Sequence, residues 1–144
     1  MGMRHDGREA AIQYLYLRDI NRGMTPLEAL ENFWKIRNAP DETRKFCEDL
    51  VAGVVEHQEE IDGRIDRHTQ HYDINRLSAV DRNILRLAIY EMLHRQDIPP
   101  AVSINEAIEV AKNLGSQDSG RFVNGILDSI RIELGLPKNE KNEK

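Results

Sequence analysis

The residues best suited to chemistry in this sequence crowd into the stretch GSQDSGRFVNGILDSI, at residues 115–130. Six small or polar residues come first, and an apolar helical face follows them. Asp118, Arg121 and Phe122 meet at the join, so an acid, a cation and an aromatic ring are available to a ligand. The same residues can form an ordinary helix start, with Ser116 or Asp118 as its cap and Phe122 in the core. The residues alone favour the core position for Phe122.

A second candidate is the pair of Arg82 and Arg86, which their four-residue spacing puts on one helix face. Like charges at that spacing repel each other unless an anionic group lies between them. Two interpretations remain open with equal weight. Each arginine forms a local ion pair with Asp81, Glu91 or an acid on a neighbouring helix, or the two together hold a ligand or a partner protein.

Enzyme chemistry finds little support in the sequence. The glycines at 115, 120 and 125 lack the Lys-Ser/Thr of a P-loop, and no nucleophile elbow occurs. Cys47 lies within a helical pattern and is predicted to be a structural thiol. His68 and His71 have a spacing that metal ligands can have, but no third ligand follows, so a solvated helix end is the better interpretation. We therefore predict no enzyme, no metal site and no bound cofactor.

The bulk composition limits the class of protein. The chain has 144 residues, of which 40% are hydrophobic and 31% charged, and its net charge is −5; this suits one ordered domain. No apolar run approaches the ~20 residues that cross a bilayer, and the charged N-terminus lacks the apolar core of a signal peptide. We expect a cytoplasmic protein without a membrane partner. Because the total charge is acidic, any anion-binding face must be local.

Helical periodicity dominates the sequence, and no strand alternation competes with it. It predicts an all-α domain over residues 1–136 and a polar, frayed tail at 137–144. Start signals occur in TPLE at 25–28, SAVD at 78–81 and SINE at 103–106, and the first and last of these match capping boxes. Seven helices are expected, with the first at about 8–21, the sixth from Ser103 to Gly115 and the last at about 117–134.

Longer segments carry a resemblance to a known family. RLSAVDRNILRLAIYEML followed by DIPPAVSINEAIEVAKNLGSQDSGRFVNGILDSI resembles the C-terminal half of the NusB transcription antitermination factors. REAAIQYLY is similar to the opening pattern of that family, R-x-x-A-x-Q-x-L-Y, and FCEDLVAGVVEHQEEID resembles its third helix. The resemblance covers about residues 8–134 in the correct order.

The resemblance implies an all-helical fold of two packed helical subbundles. It also implies a noncatalytic protein that binds a short single-stranded boxA element in nascent ribosomal RNA together with the ribosomal protein NusE. The complex helps RNA polymerase to read through terminators, so the RNA polymerase antitermination complex is a further expected partner. On this basis we expect RNA to be bound by Arg4, Arg8, Tyr16, Asp118, Arg121 and Phe122, and NusE by Asp81, Arg82 and Arg86.

Under this resemblance, the junction at 115–122 belongs to the RNA surface. Exposed amides at a helix start attract phosphate, Arg121 adds positive charge, and Phe122 offers a ring on which a base can stack. Asp118 would repel phosphate. Its expected role is therefore to accept hydrogen bonds from a base edge or to restrain the loop.

The N-terminal segment departs from the family pattern. The family often has an arginine cluster before the first helix, whereas MRHDGRE here mixes Arg4 and Arg8 with Asp6 and Glu9. Since phosphate contacts supply much of the affinity for single strands, we expect weak RNA binding by the isolated protein and tight binding only with a partner. The alternative is a helical protein-interaction domain with weak or no RNA binding. Both a monomer and a homodimer are compatible with the sequence.

Overall fold

A computed structural model describes residues 2–21, 26–69, 74 and 77–138. Seven α-helices and no strands occur in these residues, which confirms the predicted all-α class. None of these helices is long and apolar enough to cross a membrane. Thr25 in the TPLE signal, His71 in the histidine pair and residues 139–144 of the predicted tail lie outside the described residues. The helices are α1 (Met3–Ile20), α2 (Pro26–Ile36), α3 (Asp41–Glu56), α4 (Gln58–Thr69), α5 (Ala79–His94), α6 (Pro100–Leu114) and α7 (Ser119–Glu133).

Helix α5 is the centre of the fold. Helices α1, α3 and α4 pack against one part of it, and α6 and α7, which also pack against each other, cover another part. The run from Asn83 to Ile89 is therefore buried at every position, because a helix enclosed on several sides has no solvent face. The two groups of helices that meet at α5 agree with the two predicted subbundles.

Local capping signals explain some helix ends. The SAVD prediction is confirmed at α5, where the Ser78 hydroxyl accepts a hydrogen bond from the Asp81 amide at 3.1 Å. The predicted end of α7 is confirmed too: Gly135 has a φ of 69°, and its neighbour Leu136 donates its amide to the Arg131 carbonyl at 3.1 Å. These contacts form a Schellman motif, which glycine favours because it lacks a Cβ.

Other predicted boundaries are wrong. Helix α6 begins at Pro100 rather than Ser103, because proline is well suited to the first helical position. Ser103 therefore lies inside the helix, is 2% exposed, and donates its hydroxyl to Glu91 at 2.7 Å. Helix α1 begins at Met3, five residues before the predicted start. Its additional turn is held by side-chain contacts to distant residues, which periodicity does not reveal.

Cys47 agrees with the structural prediction. The residue is fully buried in the core, and burial raises the pKa of its thiol to about 12. The thiolate is the nucleophilic form of cysteine, so the thiol is unreactive near neutral pH.

Candidate nucleic-acid interface

The junction between α6 and α7 is a tight turn with a fixed shape. The Ser119 hydroxyl accepts the Ser116 amide at 2.9 Å, and the Ser119 amide donates to the Ser116 carbonyl at 3.1 Å. Gly115 lies so close to Ser119 that a Cβ would overlap the serine side chain. Neither Ser116 nor Asp118 caps α7 through its side chain, contrary to the prediction. The turn is instead organised by Ser119, which is 2% exposed.

Two charged side chains at this junction are available to a ligand. Asp118 and Arg121 are exposed, and neither side chain has a hydrogen-bond or ion-pair partner among the described residues. Phe122 is half-buried and packs against the edge of the core. It thus combines the two alternatives that the sequence left open, with part of the ring anchored and part accessible.

A groove of about 750 Å³ lies beside α1 and reaches the last residue of α6. Tyr16 of α1 and Leu114, the last residue of α6, both line it. Tyr16 is half-buried, so its ring forms part of the groove wall. The rest of the lining is mostly apolar and includes Leu17 and Phe33. Of the predicted RNA-binding residues, Tyr16 lines this groove, whereas Asp118, Arg121 and Phe122 are not among its lining residues.

Side-chain contacts join α1 to α6 and to the segment just before it. Arg4 contacts Asp97, just before α6 begins, at 3.4 Å, and His5 is hydrogen-bonded to Glu106 in the middle of α6 at 2.9 Å. Tyr16 shares the groove with Leu114 at the end of α6. We refer to the surface that carries the predicted RNA-binding residues of α1 and of the junction before α7 as the strip.

The prediction for Arg8 needs correction. Its guanidinium donates to both carboxylate oxygens of Glu91, at 2.8 and 3.1 Å, and only 4% of the residue is exposed. Glu91 is itself 1% exposed and also accepts the Ser103 hydroxyl. A buried arginine in a two-point ion pair offers almost no surface to a phosphate. Arg8 instead fixes α1 against α5 and thereby positions the strip.

Arg86 also differs from its prediction as a partner-binding residue. Its Nε and Nη2 donate to the two carboxylate oxygens of Asp62, at 2.8 and 3.0 Å. Its Nη1 donates to Asp19 at 2.9 Å. With 5% of the residue exposed, the local ion-pair interpretation holds, but the acids are on α1 and α4 rather than at Asp81 or Glu91.

Arg82 has a similar structural role. Its Nε donates to Asp19 at 3.1 Å, and its Nη1 donates to the Ile74 and Leu77 carbonyls at 3.3 and 3.1 Å. Arg82 therefore fastens the segment that leads into α5. It remains partly exposed, so one edge of the side chain is still accessible.

Asp19 is the shared acceptor of this ion network, which consists of Asp19, Asp62, Arg82, Asn83 and Arg86. Burial acts to raise the pKa of Asp19, but the hydrogen bond from Asn83 and the charge of Arg86 outweigh it, so the pKa is below its usual value. In Arg86, burial acts to lower the pKa, but the hydrogen bonds and charges of Asp62 and Asp19 raise it. Every charge in the network is stabilised by an opposite one.

The sequence did not lead us to Asp19, and it suggested Glu91 as a partner of Arg82 or Arg86 rather than of Arg8, although each acid had a signal. Asp19 follows Ile12 and Leu15 at helical spacing, and both of those residues are buried. Glu91 follows the buried Ile84 and Leu87 on α5 in the same way. An acid on an apolar helix face must find a cation, because an unpaired buried charge is strongly unfavourable. The two acids thus indicated that some of the arginines were structural.

Asp81 retains a possible contact role. The residue lies in the first turn of α5 and is half-buried. Its Oδ1 is buried without a hydrogen-bond partner among the described residues. Buried carboxylate oxygens are usually hydrogen-bonded, so Asp81 is an exception, and only the exposed part of this residue can meet a partner.

Comparisons with known proteins place the chain among close relatives. The family model described as "NusB family" matches residues 5–131. The transcription antitermination protein NusB of Myxococcus xanthus is 45% identical over 95% of this chain and all of its own. The protein of the same name from Geobacter sulfurreducens is 49% identical over 93% of this chain and 97% of its own.

Solved structures agree with these matches. A crystal form of T. maritima NusB is 38% identical, covers 98% of this chain and 97% of its own, and has a TM-score of 0.83. A chain in a crystal structure of the antitermination factors NusB and NusE in complex with dsRNA is 30% identical, covers 92% of this chain and 98% of its own, and has a TM-score of 0.83.

Proposed function

Because the chain belongs to the NusB family, we propose that it is a noncatalytic RNA-binding adaptor in transcription antitermination. It binds boxA-type RNA of ribosomal RNA transcripts together with the ribosomal protein NusE. The observation that carries this proposal is the full-length match to relatives named as transcription antitermination proteins. It is supported by the structural match to a NusB that was crystallised with NusE and double-stranded RNA. Action on nascent transcripts in bacteria places the protein in the cytoplasm.

The RNA surface of this proposal is the strip, which comprises the exposed part of α1 and the junction before α7. Arg4 and Arg121 are its exposed cations, and Tyr16 and Phe122 are its partly exposed rings. Single-stranded RNA binding combines these two features, because cations follow the phosphates and aromatic rings stack on bases. Asp118 is free to accept a hydrogen bond from a base edge. Arg8 acts through α1, whose position it fixes, rather than by direct contact.

The NusE surface of this proposal is the start of α5. Asp81 supplies a half-buried acid, and Arg82 supplies the exposed edge of a cation. Arg86 holds α5 to α1 and α4 from beneath. The partner and RNA surfaces both include or adjoin α1, since Asp19 anchors Arg82 and Tyr16 lies one turn earlier. A complex that engages both surfaces is therefore geometrically reasonable.

The second candidate function is a protein-interaction domain with weak or no RNA binding. Two observations favour it. The net charge is −5, and Arg4 is already paired with Asp97. Both reduce the local positive potential that attracts RNA.

Fluorescence anisotropy separates the two candidates. A labelled single-stranded boxA-like RNA is titrated with the protein alone and with NusE, at low and at physiological salt. A scrambled RNA of the same composition and a boxA duplex serve as controls. The adaptor is expected to prefer the single-stranded boxA sequence, to bind more tightly with NusE and to lose affinity with salt. Absence of sequence-dependent RNA binding with NusE present would establish the interaction domain instead.

A further inference from the structure

A cluster of His57, Glu60 and His94 lies apart from the RNA and NusE surfaces. His57 ends α3, Glu60 lies in the first turn of α4, and His94 ends α5. The Nε2 of His94 is 3.3 Å from Oε1 of Glu60, and the Nδ1 of His57 is 3.7 Å from the same oxygen. One ligand atom from each residue lies within 4.8 Å of the others. Three helix ends thus bring two imidazoles and a carboxylate to one point.

These distances suit a transition-metal ion. A tetrahedral zinc ion has ligand atoms at about 2.0–2.2 Å, which places neighbouring ligand atoms about 3.3–3.5 Å from each other. The two edges that involve Glu60 already have nearly this length. The two imidazole rings are stacked with their centres 3.8 Å apart, so one ring must turn for both to direct a nitrogen at the same ion. The terminal torsion of histidine has a broad energy profile, and His94 is exposed, which leaves room for that turn.

The surroundings support ligand binding by His57. Its second ring nitrogen, Nε2, faces the Glu56 carboxylate at 3.9 Å. At this distance the two groups are close but not hydrogen-bonded; a small turn of the exposed Glu56 side chain would allow the hydrogen bond that orients a metal-binding histidine. Tyr90 is stacked beside both imidazoles, with ring centres 6.1 Å from His57 and 5.6 Å from His94. Gly53 lies against this tyrosine, whose ring would overlap a Cβ at that position.

We propose that His57, Glu60 and His94 form a binding site for a divalent transition-metal ion of the zinc, nickel or copper class. Two imidazoles and one carboxylate favour these ions over magnesium and calcium, which prefer oxygen ligands. The fourth position faces solvent and is taken by water. A bound ion joins the α3–α4 bend to the end of α5 and so braces the helix on which both halves of the fold rest.

Two other histidines provide matched controls. His5 pairs with Glu106, and His68 pairs with Glu133 and Ser129. Each of these pairs has a carboxylate but no second imidazole among the described residues. His68 therefore represents an ordinary surface histidine–glutamate pair, whose loss should not affect metal binding. A chelating site, in contrast, requires both His57 and His94.

The test is calorimetric titration of the full chain with zinc chloride, and cobalt absorption spectroscopy as an independent measurement. We expect one saturable zinc site and the strong visible absorption of four-coordinate cobalt. His94→Gln and Glu60→Gln should each weaken the binding at least about tenfold, as loss of even an outer-shell partner commonly does, and should abolish the cobalt band. His68→Gln should leave both signals unchanged. Circular dichroism checks that all variants fold.

The proposal is overturned by either of two results. One is a wild-type titration without a saturable zinc step. The other is a zinc step that His94→Gln and Glu60→Gln leave unaltered, or that His68→Gln removes equally. Neither result bears on RNA binding, because the cluster shares no residue with the proposed RNA surface.

Discussion

The ion network beneath α5 and the junction before α7 use the same residue types in opposite ways. In the network, Arg86 and Asp19 are buried and bonded to each other. At the junction, Arg121 and Asp118 are exposed, and neither side chain has a partner among the described residues. An arginine is therefore informative about binding only when its partner is known. The network stabilises the fold, whereas the junction is available to a ligand.

The difference has an energetic origin. Removing a charge from water is costly unless an opposite charge and hydrogen bonds replace the lost hydration. The network meets this requirement, since three side chains donate to Asp19. At the junction, water hydrates the exposed charges until a ligand displaces it. The same mutation should accordingly affect stability in one region and binding in the other.

The largest expected effect is that of Arg86→Ala. The change leaves the Asp62 and Asp19 carboxylates partly buried without their main cation, and loss of one partner of a buried pair costs about 3–5 kcal/mol. Urea unfolding followed by circular dichroism measures it. Arg121→Ala is the matched control and should change the unfolding free energy by less than about 0.5 kcal/mol. Equal midpoints for the two variants would contradict the distinction between the regions.

Phe122→Ala should produce the next largest effect, on binding. Loss of a base–aromatic stack costs about 1–3 kcal/mol of RNA affinity. Because the ring is half-buried, the loss of folding stability should be smaller than the ~3–5 kcal/mol of a fully buried phenylalanine. The two quantities are measured on the same protein, by melting and by anisotropy with NusE. A large loss of stability with RNA affinity retained in the folded fraction would return Phe122 to the core.

Asp81→Lys tests the NusE surface. Reversing the charge removes an acceptor and introduces a cation, so NusE affinity should fall at least about tenfold, or ~1.4 kcal/mol. Pull-down and calorimetry with purified NusE measure the change, and circular dichroism should show an intact helical fold. The double variant Asp81→Lys with Arg82→Glu extends the test. If it binds NusE as the wild type does, the interface lies elsewhere.

Arg121→Gln should change the salt dependence of RNA binding rather than its sequence preference. A lost phosphate contact on a single strand flattens the slope of log affinity against log salt by about 0.7. Anisotropy at four salt concentrations gives the slope, with Phe122→Ala as the comparison because it removes no charge. An unchanged slope would show that Arg121 contacts no phosphate.

Asp97→Asn should give the smallest effect. Its hydrogen bond from Arg95 and the charges of Arg95 and Arg4 lower the pKa of Asp97 to about 2, from an ordinary value of 3.8. A lowered folded-state pKa means that this carboxylate stabilises the protein above about pH 4 and stops doing so as the pH falls through about 2. The melting temperatures of the wild type and of Asp97→Asn should therefore converge as the pH falls from about 4 to about 2.

The same variant also releases Arg4, which donates to Asp97. RNA affinity at pH 7 should rise by about two- to fivefold, which corresponds to the upper range of an exposed ion pair. Unaltered affinity would indicate that Arg4 lies outside the RNA surface.

Local signals made part of this fold predictable. Ser78 caps α5 as expected because the cap and the Asp81 amide that donates to it are three residues apart. The helix start predicted at Ser103 is wrong because the Ser103 side chain bonds Glu91, which lies on another helix. The fold class followed from periodicity, since each helix carries its own apolar face.

The candidate site was predictable only in part. The resemblance assigned Arg121 and Phe122 to RNA binding, and both keep exposed surface, but it also assigned the buried Arg8 and Arg86 to binding. Their burial depends on acids 67 and 83 residues away along the chain. The metal cluster was missed for the same reason, since His94 is 34 residues from Glu60. Packing decides such contacts, and a single sequence does not show it.

The pairing of α1 with the far end of the chain has a consequence for folding during synthesis. Asp19, Arg8 and His5 find their partners 63 to 101 residues later. Until α5 and α6 leave the ribosome, the N-terminal helix carries charges that have no partners and cannot be buried. Since long-range contacts close slowly, docking of α1 onto α5 and α6 should be among the last steps, and chains that stop before α6 should remain targets for proteases.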